Sequence, residues 1–238
     1  MKELLSPVSF DPNTTENTYQ KIKNLLTDCD DETFCEVVRT ALETMEECYR
    51  KFPPGGVSVC FNGGKDCVVM LHIAHAVHQN LFQQKKMKSF YVREEETFAE
   101  VESFMSDTIE RYSLDNKVYQ QPIKAALSQM LAADPEVKAT VLGVRKGDPG
   151  ADRMNYFSPT DGDWPAVMRV NPILNWDYRH VWRFIRSLSL PYPSLYDQGR
   201  RCFMFYTQHR KTDKDQTFRM TKFDIKLSWA GLHQSWQT

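Results

Sequence analysis

The run Val57-Ser58-Val59-Cys60-Phe61-Asn62-Gly63-Gly64-Lys65-Asp66, with Cys67-Val68-Val69-Met70-Leu71 directly behind it, constrains this chain more than any other stretch. A short β-type run ends on two glycines, and a lysine and an aspartate then open an apolar helix. Glycine turns tightly and, lacking Cβ, lets backbone amides approach a ligand, while the helix N-terminus that follows carries a partial positive charge. Lys65 adds a full positive charge, and Asp66 can reach either a divalent metal or the first amides of its own helix. The pattern predicts a phosphate cradle and, with it, nucleotide chemistry. An ordinary Asn-Gly or Gly-Gly turn is the bland reading, and Lys-Asp at the head of a strong helical pattern argues against it. Neither Gly-x-x-x-x-Gly-Lys-[Ser/Thr] nor Gly-x-Gly-x-x-Gly accompanies this strand, which excludes the two commonest phosphate-binding loops.

Apolar periodicity around the cradle alternates between helix and strand. Helices are expected over 14–49 with Asp31 as an N-cap, then over 65–82, 98–112, 123–132 and 178–188; strands are expected over 57–61, 89–93, 117–120, 138–145 and 168–174. Residues 146–164 read as a polar loop. The alternation implies an α/β fold with a mostly parallel five-stranded sheet and helices on both faces. Ligands in such sheets sit at the carboxyl ends of the strands, where Asn62, Arg93, Arg145 and the long loop emerge.

At 238 residues and 41% apolar, the chain is long enough for one substantial core, and a formal charge of −1 argues against coating nucleic acid or an anionic membrane. No apolar run of membrane-spanning length and no leader pattern at the N-terminus occurs, and the six cysteines lack any Cys-x-x-Cys spacing. Reduced, mostly buried thiols in a cytoplasmic protein are therefore expected. His72, His75 and His78 lie three apart on the first crossover helix, but they drift around it with no acidic partner between them, so a zinc site is not expected. Trp176 and Trp182 fall at helix spacing with Phe184 and Ile185 and read as core. Beyond Gly199 eight Lys or Arg stand against three Asp, a net of +5, while residues 1–199 hold 22 basic and 28 acidic residues, or −6. The division expected is a domain at 1–199 and a basic, poorly ordered tail at 200–238, a solvated extension or an arm for an anionic partner.

Together with the cradle, the strings Leu142-Gly143-Val144-Arg145 with Asp148-Pro149, Ser158-Pro159-Thr160-Asp161-Gly162-Asp163-Trp164-Pro165 and Arg169-Val170-Asn171-Pro172-Ile173-Leu174-Asn175-Trp176 resemble the eukaryotic FAD synthases. More narrowly, the chain over about residues 34–199 is similar to their FMN adenylyltransferase domain, of the PAPS-reductase-like, adenine nucleotide alpha hydrolase-like fold. The resemblance implies transfer of AMP from ATP to FMN, giving FAD and pyrophosphate with Mg²⁺. ATP and FMN are then the partners, and the oligomeric state is left open. Residues Asn62, Gly63, Gly64 and Lys65 would hold the triphosphate, Arg145 would clamp phosphate, and Asp66 and Asp148 would hold Mg²⁺. Adenine would be read by backbone groups at Val59, Val92 and Val144. The flavin side would fall to Asp161, Gly162, Asp163, Trp164, Pro165, Arg169 and Val170, with Trp164 lying flat on the ring and Arg169 meeting the FMN phosphate.

Each of these positions also has an ordinary structural role. Asp66 could cap its helix, Asp148 could close an Asp-Pro turn, the valines could be plain core, Arg145 could form a surface ion pair and Trp164 could anchor its loop. The resemblance stops after Leu195-Tyr196-Asp197-Gln198-Gly199, where Arg200-Arg201-Cys202-Phe203-Met204 departs from the family pattern. That break raises a catalytically impaired flavin or nucleotide binder as an alternative, and the shared fold raises a second, a sulfonucleotide reductase-like enzyme. The second needs a nucleophilic cysteine in a Glu-Cys-Gly-type string, and Cys202 is flanked instead by Arg201 and Phe203.

Overall fold

Residues 17–83, 85–93 and 97–199 are described by the structure, a computed structural model. The expectations for 14–16 and for the tail at 200–238 lie outside the described residues. Six strands form: β1 (Val57–Cys60), β2 (Lys88–Val92), β3 (Asp115–Tyr119), β4 (Ala139–Val141), β5 (Phe157–Pro159) and β6 (Met168–Val170). Among the described residues six α-helices accompany them: α1 (Thr18–Thr27), α2 (Glu32–Lys51), α3 (Lys65–Phe82), α4 (Ala99–Arg111), α5 (Ile123–Ala133) and α6 (Tyr178–Ser187). The sheet runs β3-β2-β1-β4-β6-β5, parallel throughout except for the β5–β6 pair. From β1 the chain moves outward through β2 and β3 and then returns to the other side of β1 as β4. A crevice therefore opens above the carboxyl ends of β1 and β4, at the reversal of strand order.

Alternation along the strands sends side chains into two apolar layers. Val57, Val59 and Tyr91 join the larger cluster with residues of α1, α2, α3, α4 and α6, whereas Phe90 and Tyr119 meet Ala126, Leu127 and Met130 of α5 on the opposite face. α3 is enclosed on nearly every side. Met70, Leu71 and Ile73 are fully buried in it, and each contributes about 1.5–3 kcal/mol. This packing fixes the helix whose first turn carries the cradle. Among the described residues no helix is long and apolar enough to cross a membrane.

Several expectations change. The sheet has six strands rather than five, because residues 157–159 pair antiparallel with β6 at the edge. Three residues ending on a proline carry no period-2 signature, and an edge strand tolerates that proline. The single helix expected over 14–49 is two helices: α1 ends at Thr27, and Asp31 starts α2 by accepting from the amides of Thr33 and Phe34 at 3.1 and 3.2 Å. The strand expected over 138–145 pairs as β4 only over Ala139–Val141 before the chain bends at Gly143. Cys29 and Cys35 are joined as a disulfide across the α1–α2 turn, against the expectation of reduced thiols, while Cys48, Cys60 and Cys67 keep their thiols outside any disulfide.

Candidate active site

The chain leaving β1 turns at Gly63, whose φ of +76° lies in the left-handed region that favours glycine. Gly64 then serves as the N-cap of α3, and its amide donates to Asn62 Oδ1 at 3.0 Å. Asn62 thus holds the turn itself. The next amide, that of Lys65, donates to the hydroxyl of Tyr196 at 2.9 Å, a partner 131 residues further along the chain. Lys65 is buried. Its ammonium lies 3.3 Å from Asp66 Oδ2 and 5.7 and 5.8 Å from the ring centroids of Tyr178 and Tyr196.

β4 delivers the second half of the site. A Cβ on Gly143 would stand 2.9 Å from Cys67 Sγ and 3.2 Å from the Cys67 amide, so only glycine lets this segment pass against the first turn of α3. Two residues on, Arg145 Nη2 donates to Asp66 Oδ2 at 3.5 Å, and Nε lies 3.1 Å from Asp66 Oδ1 in the same ion pair. The turn at 145–148 is closed reciprocally: the Arg145 amide donates to Asp148 Oδ2 at 2.8 Å, and the Asp148 amide donates to the Arg145 carbonyl at 2.9 Å. Arg145 Nη2 lies 4.0 Å from Asp148 Oδ1. The Arg145 and Asp66 side chains are only 16% and 15% exposed, so this is not a surface ion pair, and the Asp66 carboxylate faces two cations rather than the amides of its own helix. Beside the network a cleft opens, lined by Arg145, Gly147, Leu174, Asn175, Trp176 and Tyr178.

The other expected positions divide. Val92 ends β2, and Val144 lies just past β4; both are half-buried near strand ends. Val59 is mid-strand between β2 and β4 and wholly buried, as is Val170 on β6, so their side chains are core. Arg169 is buried as well. Its guanidinium donates to the carbonyls of Pro159 at 2.6 Å and Ser158 at 3.4 Å, and Nη1 lies 3.6 Å from Asp161 Oδ2. Burial lowers its pKa from the ordinary guanidinium value, and Asp161 opposes that shift. Asp161, Gly162 and Asp163 are exposed, while Trp164 and Pro165 are half-buried, Trp164 against the smaller apolar layer. Trp176 is core, and its Nε1 donates to the Val37 carbonyl at 3.1 Å. His72 pairs with the Tyr112 hydroxyl at 2.7 Å and His78 with the Lys85 carbonyl at 2.8 Å, so the two rings serve different partners.

Four residues were missed in the sequence. Gly143 stood in a motif but its close approach had no local signature. Tyr178 and Tyr196 reach the cradle only through the fold. Lys124 of α5 pairs with Asp163 at 2.8 Å and lies 5.9 Å from the Trp164 ring centroid, tying the loop to a helix on the far face.

The phosphoadenosine phosphosulfate reductase domain family matches residues 56–135 and 121–219. A probable FAD synthase of Caenorhabditis elegans is 35% identical over 168 residues, covering 70% of this chain but 32% of that protein. One of Schizosaccharomyces pombe is 29% identical over 194 residues, 77% of this chain and 73% of its own length. The chain thus spans about a third of the C. elegans relative. A crystal structure of Candida glabrata FMN adenylyltransferase with FMN and the ATP analog AMPCPP superposes with a TM-score of 0.71 at 25% identity, covering 91% of this chain and 82% of that one.

Proposed function

The chain belongs to the phosphoadenosine phosphosulfate reductase domain family, and we propose that within it this protein transfers AMP from ATP to FMN, releasing FAD and pyrophosphate. One observation carries the reading: Lys65, Asp66, Arg145 and Asp148 converge around the N-terminus of α3 at the reversal of strand order. The similarity to the C. glabrata FMN adenylyltransferase supports the same choice of substrates.

The reaction joins two polyanions. The FMN phosphate is already ionised, so its attack on the α-phosphorus needs in-line positioning and charge neutralisation rather than a base. Lys65 and Arg145 supply the cations, and the first turn of α3 supplies amides and its dipole. Asn62 supports the cradle by keeping the Gly63-Gly64 turn closed. Asp66 and Asp148 cancel the charges of Lys65 and Arg145, which leaves this foursome formally neutral toward a triphosphate. Asp66 and Asp148, two carboxylates beside a phosphate site, are the residues that would hold Mg²⁺. Among the described residues no group of three His, Cys, Asp or Glu is arranged to hold a metal ion. When bound, the ion neutralises phosphate oxygens and stabilises the leaving pyrophosphate.

On the flavin side, Trp164 offers a ring face, Asp161 and Asp163 offer acceptors, and Arg169 anchors the loop from beneath through the Ser158 and Pro159 carbonyls. Val92 and Val144, at the strand ends, would present backbone groups to adenine. The test is direct: the purified chain is incubated with FMN, ATP and Mg²⁺, and products are resolved by chromatography. FAD and pyrophosphate in equal amounts are expected. Binding of both substrates with no FAD formed would leave an impaired binder instead.

A further inference from the structure

We infer that Tyr196 is a built-in competitor for nucleotide phosphate, holding the first amide of α3 until a phosphate oxygen takes its place. The inference rests on reading the cradle as a phosphate site. An amide N–H points at one acceptor at hydrogen-bond length, and that of Lys65 points at the Tyr196 hydroxyl, 2.9 Å away. A phosphate oxygen and the phenol oxygen cannot both occupy this position. The Tyr196 ring also lies 5.8 Å from the Lys65 ammonium, so the same side chain approaches both groups of Lys65 that a phosphate would use. Anionic phosphate oxygen is the stronger acceptor of the two and displaces the neutral phenol.

The contact is made by a distinct segment. Tyr196 ends a single 3-10 turn, Ser194–Tyr196, and its ring packs edge-on against Trp182 of α6 at 5.4 Å and against Tyr192 at 6.4 Å. Displacing the hydroxyl therefore perturbs the surroundings of Trp182. The segment lies directly ahead of Gly199, beyond which the sequence turns from net acidic to net basic.

The test is calorimetric titration of the full chain with Mg–ATP and, separately, with inorganic pyrophosphate, comparing wild type with Tyr196→Phe. Tyr196→Met, which also lacks the hydroxyl but keeps apolar bulk, is the second variant, and thermal melting verifies that each is folded. Removing the competitor tightens both ligands by about 2- to 10-fold, the net effect of one hydrogen bond. Unchanged or weaker binding in the folded variants would overturn the inference, and weaker binding would make Tyr196 a phosphate ligand instead. If wild type and variants alike bind neither ligand, the cradle reading itself fails; binding by the variants alone would be the strongest support.

Discussion

At the cradle, residues 62–66 meet partners from 143–148 and from position 196, all within the largely buried mouth of the sheet. In the loop at 158–169, by contrast, Asp161, Gly162 and Asp163 are exposed, and the tie to α5 is one ion pair whose side chains are 48% and 52% exposed. Both regions sit on chain that leaves the same sheet. Under the proposed function the first region is the phosphate half, whose side chains are already paired with one another, and the second is the flavin half, with buried Arg169 beneath an exposed rim. This is the arrangement expected when one substrate needs charges at fixed points and the other presents a broad ring to be covered.

The largest effect that sharpens the contrast is catalytic. Lys65→Met, which keeps the buried stem and removes the charge, lowers kcat/KM about 10²- to 10³-fold through loss of transition-state stabilisation. Trp164→Leu acts mainly on the KM for FMN. Steady-state kinetics on both variants checks this, and an equal loss of kcat in the two would break the comparison.

Acid comes next, because α3 carries the cradle and also buries His72 and His75, whose pKa values burial pushes down from 6.5 to about 3 and about 4. A depressed folded pKa means the unfolded chain takes up protons first. Stability is full above pH 6.5 and declines as pH falls toward those lower values. His72 alone removes about 2 kcal/mol between neutrality and pH 5. Urea unfolding at the two pH values measures the loss, and His72→Gln diminishes the difference.

Glycine substitutions give a smaller and paired effect. Gly63→Ala forces a side chain into φ +76° with its Cβ 3.0 Å from Met105 and Val101, at about 1–2 kcal/mol. At Gly162 an added Cβ meets nothing within 4 Å, so Gly162→Ala changes stability by less than about 0.5 kcal/mol. Thermal melts of the two variants compare the halves on one scale. Smallest is Lys124→Ala, which breaks an exposed ion pair of about 0–1 kcal/mol and raises the KM for FMN about 2- to 5-fold, less at high salt.

Local chemistry was legible in the sequence. Two glycines and the long apolar run behind Lys65 gave α3 its observed limits, 65–82, and Asp31 read correctly as the cap of α2. The sequence expectation failed where the decisive partner was distant or the element was very short. The edge strand β5 takes its shape from β6 rather than from its own residues, and the α1–α2 break falls inside an apolar period that runs through it. Tyr196 was visible only as part of a family string, since nothing local announces that its hydroxyl meets an amide 131 residues earlier. Gly143 likewise shows its need only once α3 lies against it.

Hydrogen–deuterium exchange with each substrate added separately tests the central claim most directly. Mg–ATP slows exchange in peptides spanning 61–68 and 142–148 and leaves 158–165 nearly unchanged, while FMN slows 158–165. Protection of 158–165 by Mg–ATP, with 61–68 and 142–148 unaffected, would contradict the account.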